Sequence, residues 1–381
     1  MKNFTLLLLV ISFSIASCKT ENQENSTSIP TITLVDSMEV DYLGVVWLTD
    51  YDPQSEKLLL ANDSYFQYLE IDRSGKILDS ARLSSDGPDA IDMALGMGYF
   101  EGKVTVATSS DGFKILERGK ITDQIKIPYA YHAFNFLPNL GLYPWKDGVL
   151  YGRFTADSLQ TNGEFDAAYY ERTYNDPILE YQKDGKVKGV LTLPEDSPLR
   201  DGKFHGPITS VTEFSGDQLY YANWMRPEIY IYQTAGEDLV YQKTVKVDIP
   251  GWVFYDPVEM TNAANFYDFM GSKMAGNLTN ILSIGDHFVI VYTKGIAEDQ
   301  FSQIDFKDPN ARQLINSINR PFFGILDKDF NAIQLDIPLP AAASTFMVAS
   351  PNGDIWISKN PSLADSEDNG PVIYQLRFGT E

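Results

Sequence analysis

Two segments of the chain carry an arginine directly ahead of a proline, Trp224-Met225-Arg226-Pro227 and Ile318-Asn319-Arg320-Pro321. A guanidinium is a rigid fork of N–H donors that fits a carboxylate or sulfate through two parallel bonds, so a pair at one pocket mouth would clamp an anion. Ion pairs with loop carboxylates such as Asp256 or Glu259 are the competing use of the same side chains. Aromatic residues gather in two segments: Tyr129, Tyr131, His132, Phe134, Phe136, Tyr143 and Trp145 in one, Trp252, Phe254, Tyr255, Phe266, Tyr267 and Phe269 in the other. Rings at this density suit stacking on a glycan or anchoring a peptide, and equally suit the small cores that long loops need. The ligand-binding candidates are Arg226, Arg320, Trp224, His132, His205, Tyr131, Trp252 and Tyr255.

None of the three histidines, His132, His205 and His287, has a second His or Cys at ligand spacing, so no metal site is expected. Asp305-Phe306-Lys307-Asp308-Pro309-Asn310 offers oxygen ligands but lacks the glycine and spacing of an EF-hand loop. There is no G-x-S-x-G elbow, H-E-x-x-H helix, P-loop or G-x-G-x-x-G loop, and no cofactor is expected. Carboxylates among the long loops, Asp157, Glu164, Asp166, Glu171, Asp176, Glu195, Asp196, Asp201, Asp256, Glu259 and Asp268, could hold an acid/base pair. They are equally an ordinary acidic surface, and no catalytic residue is assigned.

The elements that position these residues read as β-structure. The 381 residues are 44% hydrophobic and 13% aromatic, enough for a large core. The charge of −22 argues against nucleic acid as a partner, because phosphate binding needs clustered Lys and Arg and here they are outnumbered 30 to 52.

The first residues carry an export pattern. Met1-Lys2-Asn3 is a short basic head, Phe4 to Val10 with Ile11, Phe13 and Ile15 is apolar, and Ala16-Ser17 precede Cys18. The run is too short for an ordinary spanning helix and has the layout of a secretory signal over residues 1–17. Ile15-Ala16-Ser17-Cys18 resembles the lipobox of bacterial lipoproteins, which implies lipidation at Cys18 and anchoring to an envelope membrane, with the outer membrane favoured. An ordinary signal peptide with an incidental cysteine is the alternative. Residues 18–30 then read as a polar tether. Its acidic start is loosely similar to surface-export signals of some lipoproteins. Cys18 is the only cysteine, so the folded part has no disulfide.

From Val45 onward one plan repeats. The first unit has strand-like runs at Val45 to Thr49, Lys57 to Asn62, Tyr65 to Asp72 and Lys76 to Leu83, separated by tight-turn sequences such as Arg73-Ser74-Gly75. Further units run from Met93 to Pro128, from Leu140 through Asp184-Gly185, from Ile208 to Pro250 and from Leu278 to Pro338. Pro177, Pro227, Pro321 and Pro371 each open a third strand, where no ladder donor is lost. The last unit, Thr345 to Phe378, has only three strands: Phe346 to Ala349, Asp354 to Ser358 and Val372 to Phe378. Residues 31–38 are strand-like and precede the first complete unit, so they are expected to supply the missing outer strand and close the ring. The fold class is all-β, a six-bladed propeller of four-stranded antiparallel blades spanning 31–381. A helical bundle is disfavoured, since only Phe301 to Ile318 could hold a helix of any length. With its lipobox and six repeated units, the chain resembles TolB-like six-bladed propeller lipoproteins of bacteria.

Every connection between first and second strands, or third and fourth, is tight. The long segments, Pro128 to Asn139, Thr155 to Asp176, Glu195 to Pro207, Gly251 to Asn277, Gly295 to Asn319 and Asn360 to Gly370, follow second or fourth strands and so emerge on one face. The expected function is an envelope lipoprotein that binds or scaffolds a glycan, a peptide or another envelope protein through this face. The rival is a hydrolase or lyase working at the channel mouth, marked by buried carboxylates or a histidine converging on the axis. A dimerising structural part of a larger complex is a third reading.

Overall fold

The computed structural model describes residues 29–380 apart from 134–138, 162–163, 166, 267–269, 361–362 and 364–369. The export segment and Cys18 lie outside the described residues, as do Phe134, Phe136, Asp166, Tyr267, Asp268 and Phe269.

Six four-stranded antiparallel sheets follow one another along the chain. Their first strands are Trp47–Asp52, Ala94–Phe100, Leu142–Trp145, Ser210–Ser215, Met274–Ile284 and Ala343–Ala349, for blades 1 to 6 in order. These inner strands contact one another around the axis, and the fourth strands, such as Ile77–Arg82 and Asp238–Lys246, are the most exposed. The repeat inferred from turn sequences is therefore the repeat of the fold. Hairpins tighten where glycine takes a left-handed backbone. Gly112 has φ +74°, and a Cβ there would meet the Ile125 carbonyl oxygen at 2.1 Å, so no other residue fits.

Ring closure takes the expected form. Pro30–Glu39 pairs antiparallel with Val372–Thr380, from Pro30 opposite Thr380 to Glu39 opposite Val372, as the outer strand of blade 6. Pro177, Pro227, Pro321 and Pro371 stand just ahead of the third strands of their blades. The carbonyls of Pro227 and Pro371 accept N–H bonds from Val247 and Val40, so only the donor that proline lacks goes unused.

The core is divided among the seams. Six apolar clusters each join two neighbouring blades, as expected of blades that bury their faces against one another. At the seam of blades 6 and 1, fully buried Trp356 packs with Leu58, Leu60 and Ile71. There Asp354, with its side chain 8% exposed, takes Arg73 of blade 1 at 2.5 Å and Arg377 at 2.7 Å, and Arg73 also lies 5.3 Å over the Trp356 ring.

The long connections all leave the same side. They hold the short helices Ala167–Arg172, Glu298–Phe301 and Ala311–Ile318 and two small ribbons, Gln160–Thr161 with Glu164–Phe165 and Lys203–Phe204 with Val258–Glu259. Helix thus forms at both ends of the Phe301–Ile318 stretch. The helix at Ala167–Arg172 was not expected from sequence: one and a half turns are too short to show a periodic pattern.

Candidate functional site

The inner strands enclose a cavity of about 990 Å³. Its walls are Leu48–Tyr51 of blade 1, Val211–Ser215 of blade 4, Thr279–Ser283 of blade 5 and Thr345–Ala349 of blade 6. Trp224, Pro207 and Asn139 bound it from the elaborated side, and Gly216, Ser350 and Pro351 from the side of the tight turns. It is a channel along the propeller axis.

Among the described residues its lining is rich in hydroxyls, carries Phe214, Phe346, Tyr51, Tyr65 and Trp224 as rings, and has two charged residues, Asp50 and Glu213, with no Lys, Arg or His. Asp50 accepts the backbone N–H of Tyr99 at 2.6 Å and of Tyr51 at 2.8 Å. Burial nevertheless pushes its carboxyl up to about 6, with the charge of Asp52 adding to the effect. Glu213 accepts the N–H of Ser283 at 2.9 Å, and burial pushes it up to about 7. Tyr143, on the inner strand of blade 3, shares a 2.6 Å hydrogen bond with Thr212. Burial raises its phenol to about 12, helped by the charges of Glu213 and Asp50. Both carboxyls titrate near neutrality and can give or take a proton there.

The local sequence explains the placement. Leu48-Thr49-Asp50-Tyr51 and Val211-Thr212-Glu213-Phe214 follow the same order of apolar residue, threonine, acid and aromatic. Each acid stands two residues before the end of its inner strand, and blades 1 and 4 are opposite one another in a ring of six. The neighbouring blade answers alike in both cases. Tyr99 and Ser283 each stand one residue before the end of the next inner strand and donate the N–H that holds the acid. Gly98 permits the approach, since a Cβ there would stand 2.6 Å from Asp50 Oδ2 and 2.8 Å from Leu140 Cβ.

The residues singled out from sequence are spread over the elaborated face. Trp224 alone among them lines the channel. Arg226 is held by Glu228 through two bonds, 3.0 and 3.1 Å, and lies 5.4 Å over Phe254. Arg320 is exposed and lies 5.0 Å over Phe322. Asp256 and Glu259 pair with Lys273 and Lys203 instead of with the arginines. Tyr131 is buried, stacked on Phe154 at 4.3 Å, and its hydroxyl donates to the Thr108 carbonyl and accepts from Gly112 N–H. His132 is exposed beside it. His205 Nε2 is 2.9 Å from Asp201 Oδ1, and its ring packs edge-on to Tyr174. Trp252 covers Gly276, and Tyr255 lines a small cavity of about 150 Å³ next to Phe266. Among the described residues no group of His, Cys, Asp and Glu is arranged to hold a metal ion.

No protein-family model and no curated protein matches the chain. Among solved structures it is similar to a member of the DUF4221 family from Bacteroides vulgatus. The two share 11% identity and a TM-score of 0.59, over 93% of this chain and 100% of that one. It is also similar to a protein from Bacteroides fragilis described as exported, at 11% identity and a TM-score of 0.48, over 95% and 98% of the two chains. At this identity the first likeness is one of fold, and that fold is the propeller described above. Among the described residues no helix is long and apolar enough to cross a membrane.

Proposed function

We propose that the protein is an exported binding propeller, tethered through a lipid on Cys18 as TolB-like propeller lipoproteins are, and that its ligand enters the axial channel. The carrying observation is the channel itself: about 990 Å³, with rings to stack on, hydroxyls to bond and two carboxylates of near-neutral pKa. A hydroxyl-rich small molecule or the end of a glycan chain suits that lining, and the elaborated face surrounds one mouth. The rim arginines contribute less to this reading, because Arg226 already satisfies Glu228.

A ligand screen on the full-length protein, scored by thermal shift and repeated with Thr345→Trp and Thr279→Trp, tests it. A tryptophan from either wall narrows the channel without removing a carboxylate, so ligand-induced stabilisation should fall in both variants. Stabilisation that survives both substitutions and is lost with Arg226→Ala and Arg320→Ala would move the site to the rim.

One observation favours a second reading. Asp50 and Glu213 line opposite walls of the channel with pKa values of about 6 and 7, the range in which an acid and a base work. Turnover of a channel-bound ligand, lost in Asp50→Asn or Glu213→Gln with binding retained, would make the protein a hydrolase or lyase.

A further inference from the structure

We infer that the channel selects a positively charged, hydroxylated ligand, an amine drawn to the acids that line its opposite walls, Asp50 and Glu213; this rests on the channel being the binding site. Among the described residues the only two charged ones lining the cavity are acids, and they stand at equivalent strand positions on opposite blades. Asp50 accepts two backbone N–H groups and Glu213 one, and among the described residues no cationic side chain hydrogen-bonds to either acid. The remaining polar lining is neutral and can both donate and accept, so it accommodates hydroxyl groups without setting a preferred charge.

The physical consequence is selectivity by sign. Each acid is penalised by burial in a partly desolvated channel that offers an anion no cationic partner, and a cation beside either one offsets that penalty. The ionisable groups about Asp50 are Asp52 and Tyr51 of its own strand, Tyr99 of blade 2 and Tyr143 of blade 3. About Glu213 they are Tyr143 and Tyr220. The lining strands of blades 5 and 6 bring none. An arriving ammonium therefore acts on the two acids and displaces the protons they hold near neutrality. Binding is accompanied by proton release, and affinity rises with pH between about 5.5 and 8.

A matched series separates this from the broader reading: N-methylglucamine as the cation, sorbitol as its neutral analogue and gluconate as the anion, titrated calorimetrically into the full-length protein in buffers of different ionisation heat. N-methylglucamine should bind at least ~10-fold more tightly than sorbitol, a fold-change within reach of one charge-assisted hydrogen bond. It should release protons, and gluconate should bind least. Glu213→Gln keeps an oxygen for its single N–H donor, whereas Asp50→Asn keeps one for only one of its two, Tyr51 or Tyr99, so the folding of both variants is checked by an intact thermal transition. Each should abolish most of the preference for the amine, while Asp256→Asn on the surface leaves it intact. Sorbitol binding within ~3-fold of the amine, or preference unchanged in both carboxamide variants, overturns the inference and leaves the channel reading standing. If none of the three compounds binds, the channel reading falls for this chemistry and the inference falls with it.

Discussion

Asp50 and Glu213 occupy equivalent positions three blades apart, and each is held by an N–H from the next blade, Tyr99 at 2.6 Å and Ser283 at 2.9 Å. Their carboxyls titrate near 6 and 7, against about 4 in an unfolded chain. Between those limits the folded protein binds more protons than the unfolded one, so stability falls as pH rises from about 4 to 7. Glu213→Gln removes that penalty and keeps an acceptor for Ser283 N–H, so it should raise the melting temperature at pH 8 by a few degrees, reflecting on the order of 1–3 kcal/mol, and should gain little at pH 4.5. Asp50→Asn removes the same penalty but turns an NH2 toward one of the two N–H donors, so its gain should be smaller. Calorimetric melts at the two pH values check it; equal shifts at both would contradict the placement of these acids.

Gly98→Ala should act on the same wall. The added methyl would press on Asp50 Oδ2 at 2.6 Å and on Leu140 Cβ at 2.8 Å, and the inner strands of blades 1 and 2 have no slack beside the channel. A loss of about 1–3 kcal/mol is expected from denaturant unfolding, with channel binding weakened alongside.

Arg226→Ala should be felt as instability. Glu228, with a side chain 7% exposed, would lose both guanidinium bonds. A cost of roughly 2–4 kcal/mol follows, and Arg226→Lys should not restore it because a point charge cannot reproduce the two-pronged contact. Urea melts of both variants provide the measurement.

Removing residues 30–39 should destabilise the entire ring. The deletion leaves Val372–Thr380 as a bare edge and strips cover from the cluster around Trp356. A single cooperative transition moving down by many degrees is the expected result. A second, independent test targets the latch: Asp354→Ala frees Arg73 and Arg377, which are half in solvent already, so only about 1–2 kcal/mol should go.

Cys18→Ala tests the tether. The variant should leave the membrane fraction on cell fractionation and stay folded, because the described residues make the ring without it.

Blade number, blade boundaries and ring closure were legible because they rest on local signals. Pairs such as Asp184-Gly185 fix hairpins, prolines mark strand starts, and a three-stranded last unit calls for a partner. The one-sided distribution of long loops followed from the same count. Asp50 and Glu213 were not legible as a pair, since facing the axis is a property of the closed ring, and no spacing in the sequence brings residues 50 and 213 together. A signal existed in the repeated order of Leu48-Thr49-Asp50-Tyr51 and Val211-Thr212-Glu213-Phe214. It becomes visible only once inner strands are aligned by their turns. The rim residues misled in a different way: an arginine ahead of a proline looks available, and only the fold shows that Glu228 lies within reach of one of them.

Because Pro30 sits opposite Thr380 in one sheet, the chain is nearly a circle. A short glycine linker across that pair would join it, and the ring could then be cut at the Asp184-Gly185 turn of blade 3. The permuted molecule would keep every blade and the channel while its free ends move halfway round the disc. The order in which the blades leave the ribosome is thus separable from the structure they build.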